Sequence, residues 1–255
     1  MTTTVEVVDD GPVRTLVLSG PRRLNSLAES TADALHDEVL AAERDPRVHA
    51  LVLTGDGEHF SAGGDAEGVL EAADAIEDDA MIRFMRAYQR AGRVIWDSPL
   101  PVIAAVSGIA YGGAFNLAIS CDLVVCSRSA RFCQVFLRRG VVPDFGGAYV
   151  LPRIVGMQRA KALVLLADEI DALTAYDLGL VNFVTDTPDE ARAKATQLAH
   201  RISADSRLAV GLTKKLMNVS SSGTMQTALE FEALAQSMVL GSTNARSAFE
   251  AFRER

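Results

Sequence analysis

Two glycine-rich segments constrain the fold of this chain more than any other feature. They read F-S-A-G-G-D at residues 60–65 and G-I-A-Y-G-G-A at residues 108–114, and each follows an apolar run typical of a β-strand. Glycine permits unusual dihedrals and close approach of a ligand, and a helix N-terminus adds partial positive charge to exposed N–H groups. Two such loops that meet in space could hold one carbonyl oxygen between two N–H donors, as an oxyanion hole does. Alternatively, each loop is only a tight connection from a strand to a helix.

The first half of the chain alternates short strand-like runs with amphipathic helical patterns, which predicts an α/β fold. Strands are predicted at residues 5–8, 13–18, 50–53 and 101–106, and helices from residue 30 or 31 to about 43 and over residues 81–96. After about residue 190, helical spacing dominates, over residues 191–202, 207–217, 225–240 and 245–253. We therefore predict a core over residues 1–190 and a C-terminal helical region over residues 191–255.

Composition excludes some classes of function. The net charge of −8 argues against nucleic-acid binding, because neutralising phosphates needs clustered lysine and arginine. Three cysteines, an odd number without zinc-site spacing, indicate buried thiols in a reducing compartment. The N-terminus shows no secretory pattern, and no apolar run reaches membrane-spanning length. The sequence therefore predicts a cytoplasmic protein with no membrane or nucleic-acid partner.

Five further motifs accompany the glycine segments. They are P-R-R-L-N-S-L at residues 21–27, C-D at 121–122, V-V-P-D-F-G-G at 141–147, L-P-R-I-V-G at 151–156 and L-T-A-Y-D-L-G-L-V at 173–181. In this order, the motifs resemble those of the enoyl-CoA hydratase/isomerase, or crotonase, superfamily. The resemblance implies a β-β-α superhelix, an acyl-CoA thioester as substrate, and no metal or cofactor other than the coenzyme A of the substrate. It also implies that the C-terminal helices pack against neighbouring subunits, in a homotrimer or a dimer of trimers, although they could equally form a lid on their own core.

The resemblance assigns the oxyanion hole to the N–H groups of Gly64 and Gly113. Arg22 and Arg23 could meet the phosphates of coenzyme A, or could belong to a solvated loop. The predicted substrate contacts are Arg23, Ser26, Leu27, Ala62, Gly63, Asp65, Ala66, Gly112 and Phe136.

The sequence departs from the hydratases of this family at two positions. Those enzymes use two glutamates to hold and activate a water, and the corresponding positions here are Asn116 and Phe136. Neither an amide nor a phenyl ring can act as a general base. Asn116 is still predicted as a residue of the catalytic site, where it could orient the acyl chain or a water, or satisfy backbone groups near the helix start.

A different carboxylate is available at Asp144, which resembles the aspartate that some isomerases of the family use as their base. Nearby Phe136 and Phe145 would raise its pKa by desolvation. Alternatively, Asp144 caps a helix that begins near Gly146. The sequence thus predicts an isomerase that shifts a C=C bond of an enoyl-CoA, with Asp144 as acid and base. The alternatives are a hydratase with unusual water activation, for example by Asp144 and Asn116, and a non-catalytic acyl-CoA-binding protein. Residues 71–85 and the C-terminal helices are expected to select the acyl group.

Overall fold

A computed structural model describes residues 2–20, 24–74 and 79–253 of the chain. Its main element is a six-stranded sheet in the order β1-β2-β3-β4-β6-β9. The strands are β1 (Thr4–Asp10), β2 (Val13–Ser19), β3 (Ala50–Gly55), β4 (Val102–Val106), β6 (Leu123–Ser127) and β9 (Phe183–Thr185). The first two strands form an antiparallel hairpin, and all later pairs are parallel.

A second, three-stranded sheet stands beside the first, in the order β5-β7-β8. Its strands are β5 (Ile109–Tyr111), β7 (Arg131–Cys133) and β8 (Ile170–Asp171). Because β5 follows β4 after only two residues, the chain passes from the large sheet into the small one at the second glycine segment. The small sheet therefore begins at the glycine segment that is predicted to contribute to the oxyanion hole.

Helices follow most of the strands and cover both faces of the large sheet. They are α1 (Glu29–Arg44), α2 (Ala66–Asp74), α3 (Ala80–Asp97), α4 (Gly113–Ile119), α5 (Gly147–Val155), α6 (Met157–Leu166), α7 (Ala172–Asp177), α8 (Pro188–Ser203), α9 (Arg207–Ser220), α10 (Met225–Leu240) and α11 (Thr243–Arg253). Every residue of β3 and β4 is buried, which explains why these strands are apolar without alternation.

Two apolar clusters form the core. The larger one joins the sheet to α1, α3 and α4. The smaller one lies between the sheet and α8, where Ala195 and Leu198 pack with Val52 and Ile103. A capping box between Thr187 and Glu190 starts α8. The predicted boundary between core and helical region at residue 190 stays a prediction, and α8 crosses it.

The remaining C-terminal helices contact the core through α9. Lys214 is buried in this helix, and its Nζ lies 2.7 Å from Oδ2 of Asp122, in the turn after α4. The same Nζ donates to the carbonyl oxygens of Ile95 (2.9 Å) and Leu100 (3.0 Å). Asp122 thus has a structural role, because it pairs with Lys214 and joins α9 to the core. The three cysteines are buried and unpaired, as predicted. Within the described ranges, no helix is long and apolar enough to cross a membrane.

Candidate active site

The two glycine segments lie side by side. Ser61 donates its N–H to the carbonyl oxygen of Ile109 (3.0 Å) and accepts from the N–H of Tyr111 (3.2 Å). A Cβ atom at Gly63 would meet the carbonyl oxygen of Tyr111 and would stand 3.4 Å from the nitrogen of Gly113. Only a glycine at position 63, whose φ is +86°, allows the two loops to approach this closely.

The N–H groups of Gly64 and Gly113 remain available for a ligand. Gly113 is the first residue of α4, and the first N–H groups of a helix have no partner within it. Around Gly64, the carbonyl of Gly63 and the N–H of Asp65 bond to Leu27 (2.8 and 2.9 Å), which leaves the Gly64 amide unused. Neither amide donates a hydrogen bond within the described part of the chain. Two free donors on adjoining loops are the arrangement that an oxyanion hole needs.

Asp144 lies beside the second of these amides. Its Oδ1 is buried, has no hydrogen-bond partner among the described residues, and stands 3.0 Å from the point that a Cβ atom at Gly113 would occupy. Burial raises the pKa of this carboxyl to about 7. Such a group is half protonated near neutral pH, so it can both accept and return a proton.

The side chain of Asp144 does not cap a helix. The N-terminal cap of α5 is Gly146, and no side chain bonds to the first turn. The main chain of Asp144 contributes instead, because its carbonyl oxygen accepts from the N–H of Gly147 (2.9 Å) and from Nδ2 of Asn116 (3.0 Å). The alternative that Asp144 serves only as a helix cap is therefore wrong.

Aromatic side chains surround the carboxyl group and the glycines. The ring of Phe145 would lie 2.9 Å from a Cβ atom at Gly113, and it stacks on Tyr88 of α3 with ring centres 4.7 Å apart. On the other side, the ring of Phe136 is buried and lies 3.6 Å from the point that a Cβ atom at Gly112 would occupy. The rings of Phe145 and Tyr88 exclude water from Asp144, and this burial raises its pKa.

With this geometry in place, comparison with known proteins identifies the family. The sequence profile described as enoyl-CoA hydratase/isomerase matches residues 10–255, nearly the whole chain. This chain belongs to the enoyl-CoA hydratase/isomerase family. The family, also called the crotonase superfamily, is the one that the ordered motifs predicted.

Relatives in this family have different names. The chain is 34% identical to 1,2-epoxyphenylacetyl-CoA isomerase of Escherichia coli (strain K12) over 94% of its own length and 91% of that protein. It is 35% identical to crotonyl-CoA hydratase of Syntrophomonas wolfei over the same shares of the two chains. The crystal structure of an enoyl-CoA hydratase from Polaromonas sp. JS666 superimposes with a TM-score of 0.93 at 31% identity, covering 98% of this chain and 97% of that one. The predicted crotonase fold is thus confirmed, whereas the names support both isomerase and hydratase activity.

The side chain of Asn116 bonds to protein groups beside the Asp144 turn. Its side chain is fully buried, its Nδ2 donates to the carbonyl of Asp144, and its Oδ1 accepts from Gln134 Nε2 (2.8 Å). A Cβ atom at Gly147 would collide with its amide. The amide is therefore bonded to protein groups and supports the Asp144 turn, which agrees with the alternative that Asn116 satisfies backbone groups; a direct catalytic role stays a prediction.

Four of the nine predicted substrate contacts line one cavity of about 1030 Å³. Its walls include Ser26, Ala62, Gly64, Asp65 and Ala66, together with Phe84 and Arg139. A cavity of about 1160 Å³ under α9 and α11 contains none of the predicted residues, so cavity size does not locate this site.

Other predicted contacts have different positions. Leu27 is a core side chain that bonds to the glycine segment through its backbone, and Gly63 is buried next to Tyr111. The carboxylate of Asp65 accepts from the N–H of Gly68 (3.1 Å) at the start of α2 and from Ser26 Oγ (3.3 Å). Arg22 and Arg23 lie outside the described residues.

Sequence reasoning missed two residues of this site, Tyr88 and Gly92. Both lie on α3, four residues apart, so they share one face of the helix. A glycine inside an otherwise strong helical pattern was the signal that could have found them, because such a glycine often marks a close contact.

Proposed function

We propose that this protein is an enoyl-CoA isomerase that moves a C=C bond of an acyl-CoA thioester through an enolate. The observation that supports this best is the carboxyl group of Asp144, whose Oδ1 is buried, has no hydrogen-bond partner among the described residues, and lies next to Gly113 with its free main-chain amide. An isomerase needs one group that removes and returns a proton, and a second element that stabilises negative charge on the thioester oxygen. The site offers both.

The reaction follows from these positions. With a 3-enoyl thioester, ionised Asp144 removes a proton from C2, and the electron pair moves to the thioester oxygen. The N–H groups of Gly64 and Gly113 donate to that oxygen, which lowers the energy of the enolate; one such donor contributes on the order of 3 kcal/mol. Protonated Asp144 then returns the proton to C4, and the electrons form the C2=C3 bond. No oxidant, metal or further cofactor takes part.

The positions of the two hydratase glutamates favour this reaction over hydration. Phe136 is an apolar wall, and Asn116 is bonded to protein groups, so neither can hold or activate water. The name of the isomerase from Escherichia coli also supports the isomerase branch. The second candidate is hydration with Asp144 as base, which the similarity to crotonyl-CoA hydratase favours.

The acyl-CoA substrate is proposed to enter the cavity of about 1030 Å³, which is lined by Gly64 and by four of the predicted contacts. We further propose a cytoplasmic homotrimer or dimer of trimers. The C-terminal helices α10 and α11 support this, because they expose an unusual number of large apolar side chains: Met225, Leu229, Leu234, Met238, Leu240, Phe249 and Phe252. Sedimentation equilibrium would test it, and a monomer would contradict it.

Proton exchange in heavy water tests the reaction. Mass spectrometry would follow deuterium uptake, bond migration and water addition on a panel of 3-enoyl-, 2-enoyl- and saturated acyl-CoA thioesters. The wild type should take up deuterium and move the double bond, and Asp144→Asn should do neither. Asp177→Asn, which changes an exposed carboxylate on α7, should behave as the wild type. Water addition without migration would favour the hydratase, and binding without exchange would favour a non-catalytic protein.

A further inference from the structure

We propose that Tyr88 is a positioning residue that fixes the Gly64 amide and the Asp144 carboxyl group relative to each other. The inference rests on the proposed function, in which these two groups act on one substrate. Tyr88 lies in the middle of α3 and is only 1% exposed, so it does not contact the substrate itself. Its hydroxyl contacts the loop of Gly64, which is the first half of the site, and its ring contacts the turn of Asp144, which is the second half.

The hydroxyl of Tyr88 holds the first half. It donates to the carbonyl oxygen of Leu27, which also accepts from the N–H of Asp65 (2.9 Å). The N–H of Leu27 in turn donates to the carbonyl of Gly63 (2.8 Å), so Leu27 holds the chain on both sides of Gly64. The phenol oxygen also lies 3.3 Å from the point where a Cβ atom at Gly64 would stand. The hydroxyl therefore determines where the Gly64 amide points.

The ring of Tyr88 holds the second half. It stacks on Phe145 at an angle of 29°, and Phe145 directly follows Asp144 in the chain. The φ angle of Phe145 is +47°, a backbone conformation that residues other than glycine rarely adopt. Contacts with the surrounding structure must maintain this conformation. The stack supplies such a contact. Without it, the turn would be free to relax and Asp144 would move away from Gly113.

Loss of this positioning should change the reaction rate by a measurable factor. A displacement of about 1 Å of a catalytic group can reduce a rate by about a hundredfold. Two variants separate the two ends of Tyr88. Tyr88→Phe removes the hydroxyl and keeps the stack, and Phe145→Leu removes the stack and keeps the hydroxyl. Tyr176→Phe is the matched control, because Tyr176 is an exposed residue of α7.

The first measurement concerns the oxyanion hole and does not need turnover. Saturated acyl-CoA thioesters labelled with ¹³C at the carbonyl would be bound to each protein, and infrared difference spectra would give the carbonyl stretching frequency. The tightest-binding member of the panel serves as the probe. Tyr88→Phe should show a smaller shift to low frequency than the wild type and about tenfold lower kcat, with the dissociation constant within about twofold. Tyr176→Phe and Phe145→Leu should keep the shift of the wild type.

The second measurement is a ¹³C NMR titration of the Asp144 carboxyl group in the unliganded protein. Phe145→Leu should lower the pKa of Asp144 and slow proton exchange, whereas Tyr88→Phe should leave this pKa unchanged. The inference is overturned if Tyr88→Phe keeps both the carbonyl shift and kcat of the wild type. It is also overturned if Phe145→Leu keeps the titration and the exchange rate.

The two proposals fail in different ways. If the wild type polarises the bound thioester but moves no double bond, the isomerase function is wrong, and the spectroscopic differences between variants still decide the role of Tyr88. If bond migration depends on Asp144 but Tyr88→Phe behaves as the wild type, the function stands and the positioning role is wrong.

Discussion

The carbonyl oxygen of Phe145 lies 2.8 Å from the point that a Cβ atom at Gly92 would occupy. Helix α3 therefore touches the backbone of the turn that holds Asp144, and any larger side chain at position 92 would push this turn away. Helix α3 thus packs Tyr88 against the ring of Phe145, and its Gly92 leaves space for the main-chain carbonyl of Phe145. The position of the acid and base in the site depends on both.

Gly92→Ala should accordingly reduce both stability and activity. The added methyl group must displace backbone, not the end of a flexible side chain, and overpacking of this kind costs about 1 to 3 kcal/mol of unfolding free energy. We expect kcat to fall more than KM changes, because Asp144 moves while the cavity remains. Urea unfolding and steady-state kinetics would measure the two effects. Gly241→Ala, at a helix end where a Cβ atom would make only ordinary contacts of 3.5 and 3.7 Å, should change neither, and equal behaviour of the two variants would contradict the close contact.

Activity should depend on pH through Asp144. Burial raises the pKa of this carboxyl to about 7, and only the ionised form can remove a proton. We therefore expect kcat/KM for bond migration to rise about tenfold per pH unit below 7 and to level off above it. A pH profile from about 5.5 to 9 would measure this. A profile that is flat between pH 5.5 and 8 would mean that another group is the base.

The same pKa predicts an effect on stability. The pKa of the Asp144 carboxyl group is higher in the folded protein than in the unfolded chain. Its contribution to the free energy of unfolding is therefore lowest above pH 7, where the buried carboxyl group is ionised. Stability contributed by the group falls as pH rises from about 4 to 7. Asp144→Asn should thus raise the free energy of unfolding by about 2 to 4 kcal/mol at pH 8 and by much less at pH 4. Urea unfolding at the two pH values would show it, and a constant difference would be inconsistent with a buried, titrating carboxyl.

Apolar periodicity predicted the long elements well and the short ones poorly. The helix predicted over residues 81–96 is α3 (Ala80–Asp97), and the one predicted over residues 225–240 has those bounds in α10. The strands β5, β8 and β9 have only two or three residues, too few to show a period of two. Helix α2 has nine residues and buries none of them fully, and only Val69 and Ala72 pack against the core, so its apolar pattern is too short to predict its bounds.

The site shows a similar limit. The ordered motifs pointed to Gly64, Gly113 and Asp144, and the fold brings their loops together. The roles of Asn116 and Tyr88 depend on contacts with residues far along the chain, and such contacts leave no local pattern in one sequence. Asn116 was therefore predicted to be catalytic by its alignment with a glutamate, although its actual neighbours are protein groups.

Lys214 should be important for stability. Removing its ammonium leaves two buried carbonyl groups without a donor and leaves Asp122 without its ion-pair partner. Because the Asp122 side chain keeps 27% of its surface exposed, we expect Lys214→Met to cost about 2 to 3 kcal/mol, below the 3 to 5 of a fully buried pair. Lys215→Met is a matched control, since Lys215 is exposed on the same helix. Equal unfolding curves for the two variants would show that the ion pair contributes nothing.

Asn116 offers the clearest separation between a catalytic and a positioning role. Asn116→Ala removes the donor to the Asp144 carbonyl and the acceptor for Gln134, and it opens a gap beside Gly147. If Asn116 is a positioning residue, the variant should have both a lower free energy of unfolding and a lower kcat. The loss of unfolding free energy should be about 2 to 4 kcal/mol, because polar groups are left unsatisfied and a gap is opened. Gln134→Ala then discriminates, because Gln134 is 1% exposed and, within the described part of the chain, its side chain hydrogen-bonds to Asn116 alone. Gln134→Ala should also lower kcat, but by less than Asn116→Ala does, and it should leave KM unchanged. If Asn116→Ala instead abolishes turnover at full stability while Gln134→Ala has no effect, the Asn116 amide works on the substrate directly.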